Sequence, residues 1–368
     1  MPLTRRAALS ALFALAAALL LAGCPNKNAA DANTPAADTA PATGTGETAS
    51  PTTPGKKIRV GLVTDTGGVN DKSFNAAANA GIQRAKDELG ADVKFTESKQ
   101  AADYVGNLTR YARDGYDLVF AVGFLMQDAV AQVAPKFPDV TFALIDGDAP
   151  TGAKNVVALK FKEEEGSFLA GALAGAVTKT NKIGFVGGLE MPLIKKFEAG
   201  YKAGAKTTNP NVSFVEGYAG SFTDQQKGQE LALSQMGAGA DIVYHAAGQV
   251  GLGVIKAAKD KGEGFWAIGV DRDQDDIAPG RVLTSMVKRV DTAVFDICKA
   301  VAGGSFQPGT RVFGLADNGV GLSEMKFTKS KVPAEALARV EALKKQIVAG
   351  TLKPPTTLEE LASFTPPK

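Results

Sequence analysis

The sequence predicts an α/β chain in which two lobes, each built on a doubly wound parallel sheet, face each other across a cleft. Three observations carry that expectation. Short apolar or β-branched runs alternate with amphipathic helical stretches, the rhythm of βαβ units covered on both faces. The alternation occurs twice, and the two series align at an offset of 123 residues: Gly61-Leu62-Val63 falls on Gly184-Phe185-Val186, Phe74 on Phe197 and Gly81 on Gly204. Finally, 368 residues with 45% hydrophobic content are enough for two buried cores.

The chain opens on an export signal. Arg5 and Arg6 precede an apolar stretch from Ala7 to Ala22, too short for a comfortable membrane span but of the length of a signal-peptide core. Leu21-Ala22-Gly23-Cys24 then resembles the lipobox of bacterial lipoproteins, which makes Cys24 the expected lipidation site and membrane anchor. Residues 25–55 consist almost wholly of Ala, Thr, Pro, Asn, Gly and Asp. A segment so poor in apolar side chains cannot offset its ordering entropy, so it reads as a flexible tether. With Cys24 acylated, Cys298 has no partner for an internal disulfide and reads as a small core residue.

From Ile58 the first series places strands at 58–63, 93–96, 118–122 and 141–145, with helices at 73–89, 104–113 and 127–136. Residues 155–161 and a helix over 164–177 bridge to the second series. There, strands at 183–186, 212–215, 242–244 and 265–270 alternate with helices at 193–206, 224–236 and 250–261. A strand at 282–287, a helix at 291–302, a strand at 311–315 and a helix from Pro333 to about Val348 complete the chain.

Composition narrows the function. Lys and Arg total 41 against 39 Asp and Glu, a net charge of +2, so nothing argues for nucleic acid as a partner. His245 is the only histidine, which rules out a multi-histidine metal site and leaves a catalytic triad only that one residue. The segment Asp271-Arg272-Asp273-Gln274-Asp275-Asp276 lacks the glycine and glutamate of an EF-hand and reads as a ligand-facing strand end followed by a solvated acidic turn. Its spacing is too short, and its place too late in the chain, for the calcium-binding aspartate run of a nucleoside hydrolase, so that reading is disfavoured and no cofactor or metal is called for.

In open α/β sheets ligands bind beyond the carboxyl ends of the strands. The first such loop is the richest: Asp65-Thr66-Gly67-Gly68-Val69-Asn70-Asp71-Lys72-Ser73-Phe74-Asn75. Asp71 or Ser73 can cap the following helix, whereas capping leaves Asp65 and Phe74 unexplained. Asp71 stands where a phosphate-binding loop needs glycine before its Lys-Ser, so that reading fails.

This loop, together with Phe161-Lys162-Glu163-Glu164-Glu165-Gly166-Ser167-Phe168-Leu169-Ala170-Gly171, Gly269-Val270-Asp271-Arg272-Asp273-Gln274 and Thr284-Ser285-Met286-Val287-Lys288, resembles the basic membrane protein family. Its members are lipid-anchored substrate-binding proteins of ABC importers, similar to purine nucleoside receptor lipoproteins. The resemblance implies a type 1 periplasmic-binding fold, a purine nucleoside as ligand and an ABC permease as partner; a monomer is expected. It further implies that Asp65 and Phe74 bond and stack against the base, while Asp271 and Lys288 hold ribose hydroxyls. Asn70 belongs to the same loop as a candidate contact, and Asp128, after the third strand, is another. Phe222 and Phe197 compete for the second aromatic wall, with Phe222 preferred. Gly248 would let the backbone approach the ribose, and His245 is expected to pack as a neutral core residue. A sugar-binding or ligand-sensing lipoprotein is the alternative. The expected division is 1–23 signal peptide, 24–55 lipidated cysteine and tether, 56–163 with about 288–310 as one lobe, 164–287 with about 311–350 as the other, and 351–368 as a tail.

Overall fold

A computed structural model describes residues 56–367. The signal segment, Cys24 and the tether lie outside the described residues. Among those described, no helix is long and apolar enough to cross a membrane.

The first lobe begins with β1 (Arg59–Thr64), α1 (Phe74–Leu89), β2 (Asp92–Glu97), α2 (Asp103–Arg113), β3 (Leu118–Val122), α3 (Gln127–Val133), β4 (Thr141–Ile145) and β5 (Val156–Phe161). The second lobe holds α4 (Glu163–Val177), β6 (Lys182–Gly187), α5 (Pro192–Thr208), β7 (Ser213–Tyr218), α6 (Gln225–Gly237), β8 (Ile242–Ala246), α7 (Val250–Lys261), β9 (Trp266–Asp271) and β10 (Val282–Lys288). The chain then returns through α8 (Val290–Ala302), which packs on α1, and β11 (Gly309–Phe313). It crosses once more to β12 (Val320–Leu322) and ends with α9 (Ala334–Val348) and α10 (Leu358–Ser363), which lie on α4 and α5.

Each lobe is a six-stranded sheet, ordered β11-β5-β4-β3-β1-β2 and β12-β10-β9-β8-β6-β7. The first is wholly parallel, and only β12 in the second runs antiparallel. Central strands such as β3 and β8 are buried along their full length; β3 is an unbroken apolar run, and β8 is apolar but for Tyr244 and His245. Three segments link the lobes: 161–163, 288–290 and 313–320. They are tied together where the Lys162 amide donates to the Phe313 carbonyl (2.9 Å) and the Arg289 amide to that of Gly319 (2.8 Å).

The strand expected at 311–315 was placed in the second lobe; it pairs instead with β5, Arg311 opposite Leu159, in the first sheet. Lys288, grouped with the first lobe, ends β10 in the second sheet. The segment 351–368 contains α10, capped by the Thr357 hydroxyl, which accepts from the Glu360 amide (3.1 Å). The Thr357-Leu358-Glu359-Glu360 sequence carries that capping signal.

The 123-residue offset has a physical counterpart. A Cβ on Gly81 would lie 2.6 Å from the Asp291 carbonyl oxygen, where α1 meets α8. A Cβ on Gly204 would lie 1.9 Å from that of Phe168, where α5 meets α4. Both glycines let the helix after a lobe's first parallel strand, α1 after β1 and α5 after β6, touch the backbone of a helix that follows a lobe crossing. Helix propensity alone makes Gly204→Ala stabilising by about 1 kcal/mol, whereas overpacking destabilises by about 1–3 kcal/mol or more. The contact is backbone on both sides and cannot rotate away, so a net loss of about 2 kcal/mol is expected in urea denaturation. A gain would contradict this helix crossing.

Candidate functional site

The carboxyl ends of both sheets face a cavity between the lobes, with about 600 Å³ of empty space that includes its solvent-open mouth. The loop after β1 builds one side. Asp71 caps α1, accepting from the amides of Ser73 (2.9 Å), Asn75 (2.8 Å) and Ala76 (2.9 Å). The Ser73 hydroxyl is thereby free to donate across the cleft to Asp271 (2.5 Å). The Asn75 side-chain amide donates to Asp65 Oδ1 (2.8 Å) and Asp71 Oδ2 (3.1 Å), and the Gly67 amide also donates to Asp65 Oδ1 (2.8 Å). Burial raises the pKa of both aspartates against these hydrogen bonds.

The other polar centre is Lys288. Its ammonium is 1% exposed and donates to Asp146 Oδ2 (2.6 Å) and Glu163 Oε1 (2.9 Å), leaving one of its three protons for the cavity. Burial alone would lower its pKa, but Asp146, Glu163 and Asp271 outweigh burial and hold it above the usual lysine range. Glu163 is shared with Lys196 (2.9 Å), and the two ammonium groups overcome the effect of burial to keep it below its ordinary value. Asp271, at the end of β9, is pushed up to about 7 by burial, with Lys288 and Ser73 opposing. Lys72, Asp146 and Asp271 all have φ near +60°, a costly conformation for non-glycine residues that clusters at functional sites.

Aromatic rings supply the apolar walls. Phe74 opens α1, Phe197 lies in α5 and Phe222 lies in the loop before α6; all three line the cavity. Both candidates for the second aromatic wall, Phe197 and Phe222, therefore reach it. The Phe222 ring lies against Gly188, where a Cβ would stand 2.2 Å from the ring, and Gly248 (φ +57°) lies beside its carbonyl. Phe124, in a 3-10 turn after β3, meets Phe222 edge to face across the mouth, with centroids 6.4 Å apart. Gln249 donates to the Gly67 carbonyl beside them (2.5 Å).

Of the residues expected at the site, Asp65, Phe74, Phe197, Phe222, Gly248, Asp271 and Lys288 are brought together. Asn70 and Asp128 are not. Both are exposed: Asn70 turns outward at the loop's tip, and Asp128 stands in the first turn of α3, where the helix dipole favours a carboxylate. Asn75, Phe124, Asp146 and Gln249 were missed. Asp146 carried the same signal as Asp65, an aspartate directly after a buried strand.

His245 is fully buried on β8, its Nε2 3.0 Å from Gln274 Oε1. Gln274 in turn donates to the Lys72 carbonyl of the opposite lobe (3.1 Å). Burial lowers the imidazole pKa to about 4, so the ring is neutral. The acidic turn after Asp271 is anchored elsewhere, Asp275 accepting from the Lys326 amide (2.8 Å) and Asp276 pairing with the Lys326 ammonium (3.2 Å). Because the chain has one histidine, its imidazole NMR signals are unambiguous. They are expected to stay those of the neutral ring from pH 8 down to about pH 5; a midpoint near the ordinary value of about 6.5 would show the ring to be solvated.

Comparison with known proteins agrees with this architecture. The family described as "ABC transporter substrate-binding protein PnrA-like" matches residues 58–353. A CD4+ T-cell-stimulating antigen of Listeria monocytogenes is 42% identical over 322 residues, spanning 82% of this chain and 88% of that protein. The "ABC transporter nucleoside-binding protein BmpA" of Lactococcus lactis is 36% identical over 306 residues, 78% of this chain and 87% of its own length. Among solved structures, a solute-binding protein of an ABC transporter system from Aeropyrum pernix superimposes with a TM-score of 0.77 at 30% identity, covering 83% of this chain and 96% of that one. The sheet order, the cleft at the strand ends and this similarity along the chain have one explanation: the chain belongs to the basic membrane protein, PnrA-like family of ABC transporter substrate-binding proteins.

Proposed function

We propose that this chain is a lipid-anchored receptor that captures purine nucleosides and delivers them to an ABC permease. The observation that carries the reading is one cavity with aromatic walls from both lobes and polar groups gathered at strand ends. Phe74 of the first lobe and Phe222 or Phe197 of the second would stack on a planar base, worth about 0.5–1.5 kcal/mol per aromatic pair beyond buried area. Asp271 would accept from ribose hydroxyls and the free Lys288 proton would be donated to them. The name of the Lactococcus relative supports the ligand class. The acid balance supports an uncharged ligand: Asp65, Asp71, Asp146 and Asp271 line the cavity with only Lys288 against them, an environment that repels a phosphate.

Binding would proceed by closure. The ligand enters between separated lobes and meets Phe74 and Asp65; bending of the three linking segments then brings up Asp271 and Phe222. Ligand selects the closed form through its contacts with the second lobe. Lys288 stands beside one linking segment and bonds Asp146 of the opposite lobe, so the same ammonium that would hold ribose also ties the lobes together. In this reading Cys24 carries the lipid and residues 25–55 give the lobes reach from the membrane, roughly 5–6 Å × √n for n residues.

Calorimetric titration of the full chain in detergent with nucleosides, free bases, nucleotides and sugars tests the ligand. One-to-one binding of a purine nucleoside is expected, with its 5′-phosphate bound at least about a hundredfold more weakly. Asp271→Ala and Phe74→Ala are each expected to weaken binding at least about tenfold without loss of fold. Binding of a sugar instead would keep the importer role and overturn the ligand; undiminished affinity in both variants would overturn the site.

A further inference from the structure

We infer that Gln274 is a positioning residue that latches the two lobes together, with His245 holding it in the one orientation that can do so, and that this latch sets how slowly a bound ligand leaves. The inference rests on the closing receptor of the proposed function, not on which ligand that receptor takes.

Neither side chain is part of the cavity lining. Both are buried, Gln274 in the loop after β9 with 1% exposure and His245 on β8. The main chain of Gln274 is pinned, its amide donating to Ser285 Oγ (3.0 Å). Its side-chain oxygen accepts from the Val270 amide (3.0 Å) and lies 3.0 Å from His245 Nε2. The side-chain nitrogen then reaches across the cleft and donates to the Lys72 carbonyl of the first lobe (3.1 Å).

This orientation has a single solution. Turning the carboxamide over would set its NH2 group against the Val270 amide and its oxygen against the Lys72 carbonyl, donor facing donor and acceptor facing acceptor. With the oxygen fixed as acceptor, the neutral imidazole carries its proton on Nε2, and Nδ1 has no partner among the described residues. Neither group can slide away. A Cβ on Gly251 would stand 2.0 Å from the imidazole, and one on Gly269 would stand 2.6 Å from Gln274 Oε1.

The receiving side is equally fixed. Lys72 (φ +59°) shares a peptide unit with Ser73, whose amide donates to Asp71 Oδ1 (2.9 Å). That unit is gripped at its N–H by the first lobe and at its carbonyl by the second. The cross-cleft bond is made wholly of protein atoms, and it forms only once the lobes have come together. Its loss therefore hastens opening and leaves entry of the ligand unchanged.

The test is stopped-flow kinetics with inosine on the full chain in detergent, together with amide hydrogen exchange of the ligand-free protein at pH 8. In Gln274→Met the donor is gone, and inosine is expected to leave at least about fivefold faster than from the wild type, with the association rate within about twofold. In Gln274→Glu one carboxyl oxygen can keep the Val270 and His245 bonds, while the other meets the Lys72 carbonyl with a donor only when protonated. The same acceleration is expected there at pH 8, fading toward the wild-type rate at pH 5.5. Exchange over residues 66–73 is expected to quicken in both variants while that of α2 stays unchanged, which separates a loosened latch from a general loss of stability. Wild-type release from Gln274→Met, or slower association in place of faster release, would overturn the inference. Failure of inosine, guanosine and adenosine to bind would overturn the nucleoside reading instead. The exchange comparison would then decide the latch, equal exchange over 66–73 in all three proteins overturning it. Should Gln274→Met not fold, release from Gln274→Glu at the wild-type rate at both pH values would overturn it.

Discussion

A buried ammonium is the constraint around which the rest is organised. Lys288 has almost no contact with water, and isolating such a charge from solvent is costly unless it is paired and hydrogen-bonded. Its partners come from different parts of the chain: Asp146 follows a strand of the first sheet, Glu163 begins the helix that opens the second lobe, and Lys288 ends a strand just before the chain crosses back. Meeting the ammonium's needs therefore fixes the relation of the two lobes as well as the floor of the cavity. Phe74, Phe161 and Phe197 surround it with ring centroids 4.9–5.7 Å from the nitrogen, adding cation–π stabilisation while keeping water away. Glu163, Glu164 and Glu165 all fall in the first turn of α4, where the helix dipole favours negative charge, so the helix that must carry the counter-ion is also suited to it.

The loop after β1 solves a different problem, that of holding a carboxylate at a fixed angle in a place where it is poorly solvated. Asp71 absorbs the free amides at the start of α1, Asn75 joins Asp71 to Asp65, and Gly67 completes the clamp. Rigidity here costs little on binding because the hydrogen bonds exist beforehand, which is the advantage of a preorganised site. The same loop reaches across the cleft through Ser73, the Lys72 carbonyl and the Gly67 carbonyl. The proposed ligand contact and the lobe contact thus fall to neighbouring atoms of one segment.

How much of this was legible in the sequence follows from whether the signal is local. The buried strands announce themselves because a strand covered on both faces must be apolar throughout, and the glycine repeat at positions 81 and 204 survives because backbone contact admits no side chain. Strand ends gave Asp65 and Asp271 for the same reason. Sheet membership is not local, and nothing in the residues of β11 says that it pairs with β5 instead of joining the sheet of the strands before it. Orientation is not local either. Asn70 and Asp128 sit near the correct loops in sequence and point to solvent, whereas Asn75 and Phe124, five residues after one and four before the other, point inward. Asp146 was hidden because it lies outside the family's longest motifs, although its position after β4 has the logic of Asp65.

The three crossings between lobes carry a consequence for how the chain is made. The first sheet is complete only when β11 is laid beside β5, and β11 is separated from β5 in sequence by nearly the whole second lobe. A chain emerging from its amino end presents an unfinished parallel sheet with one edge bare until about residue 313 arrives, and α1 waits as long for α8. Exposed strand edges invite pairing with other chains, and long-range parallel pairing is intrinsically slow. The arrangement in which three segments join the two lobes therefore also denies the first lobe an independent birth: it must be held unfolded, or shielded, while its successor is still being delivered.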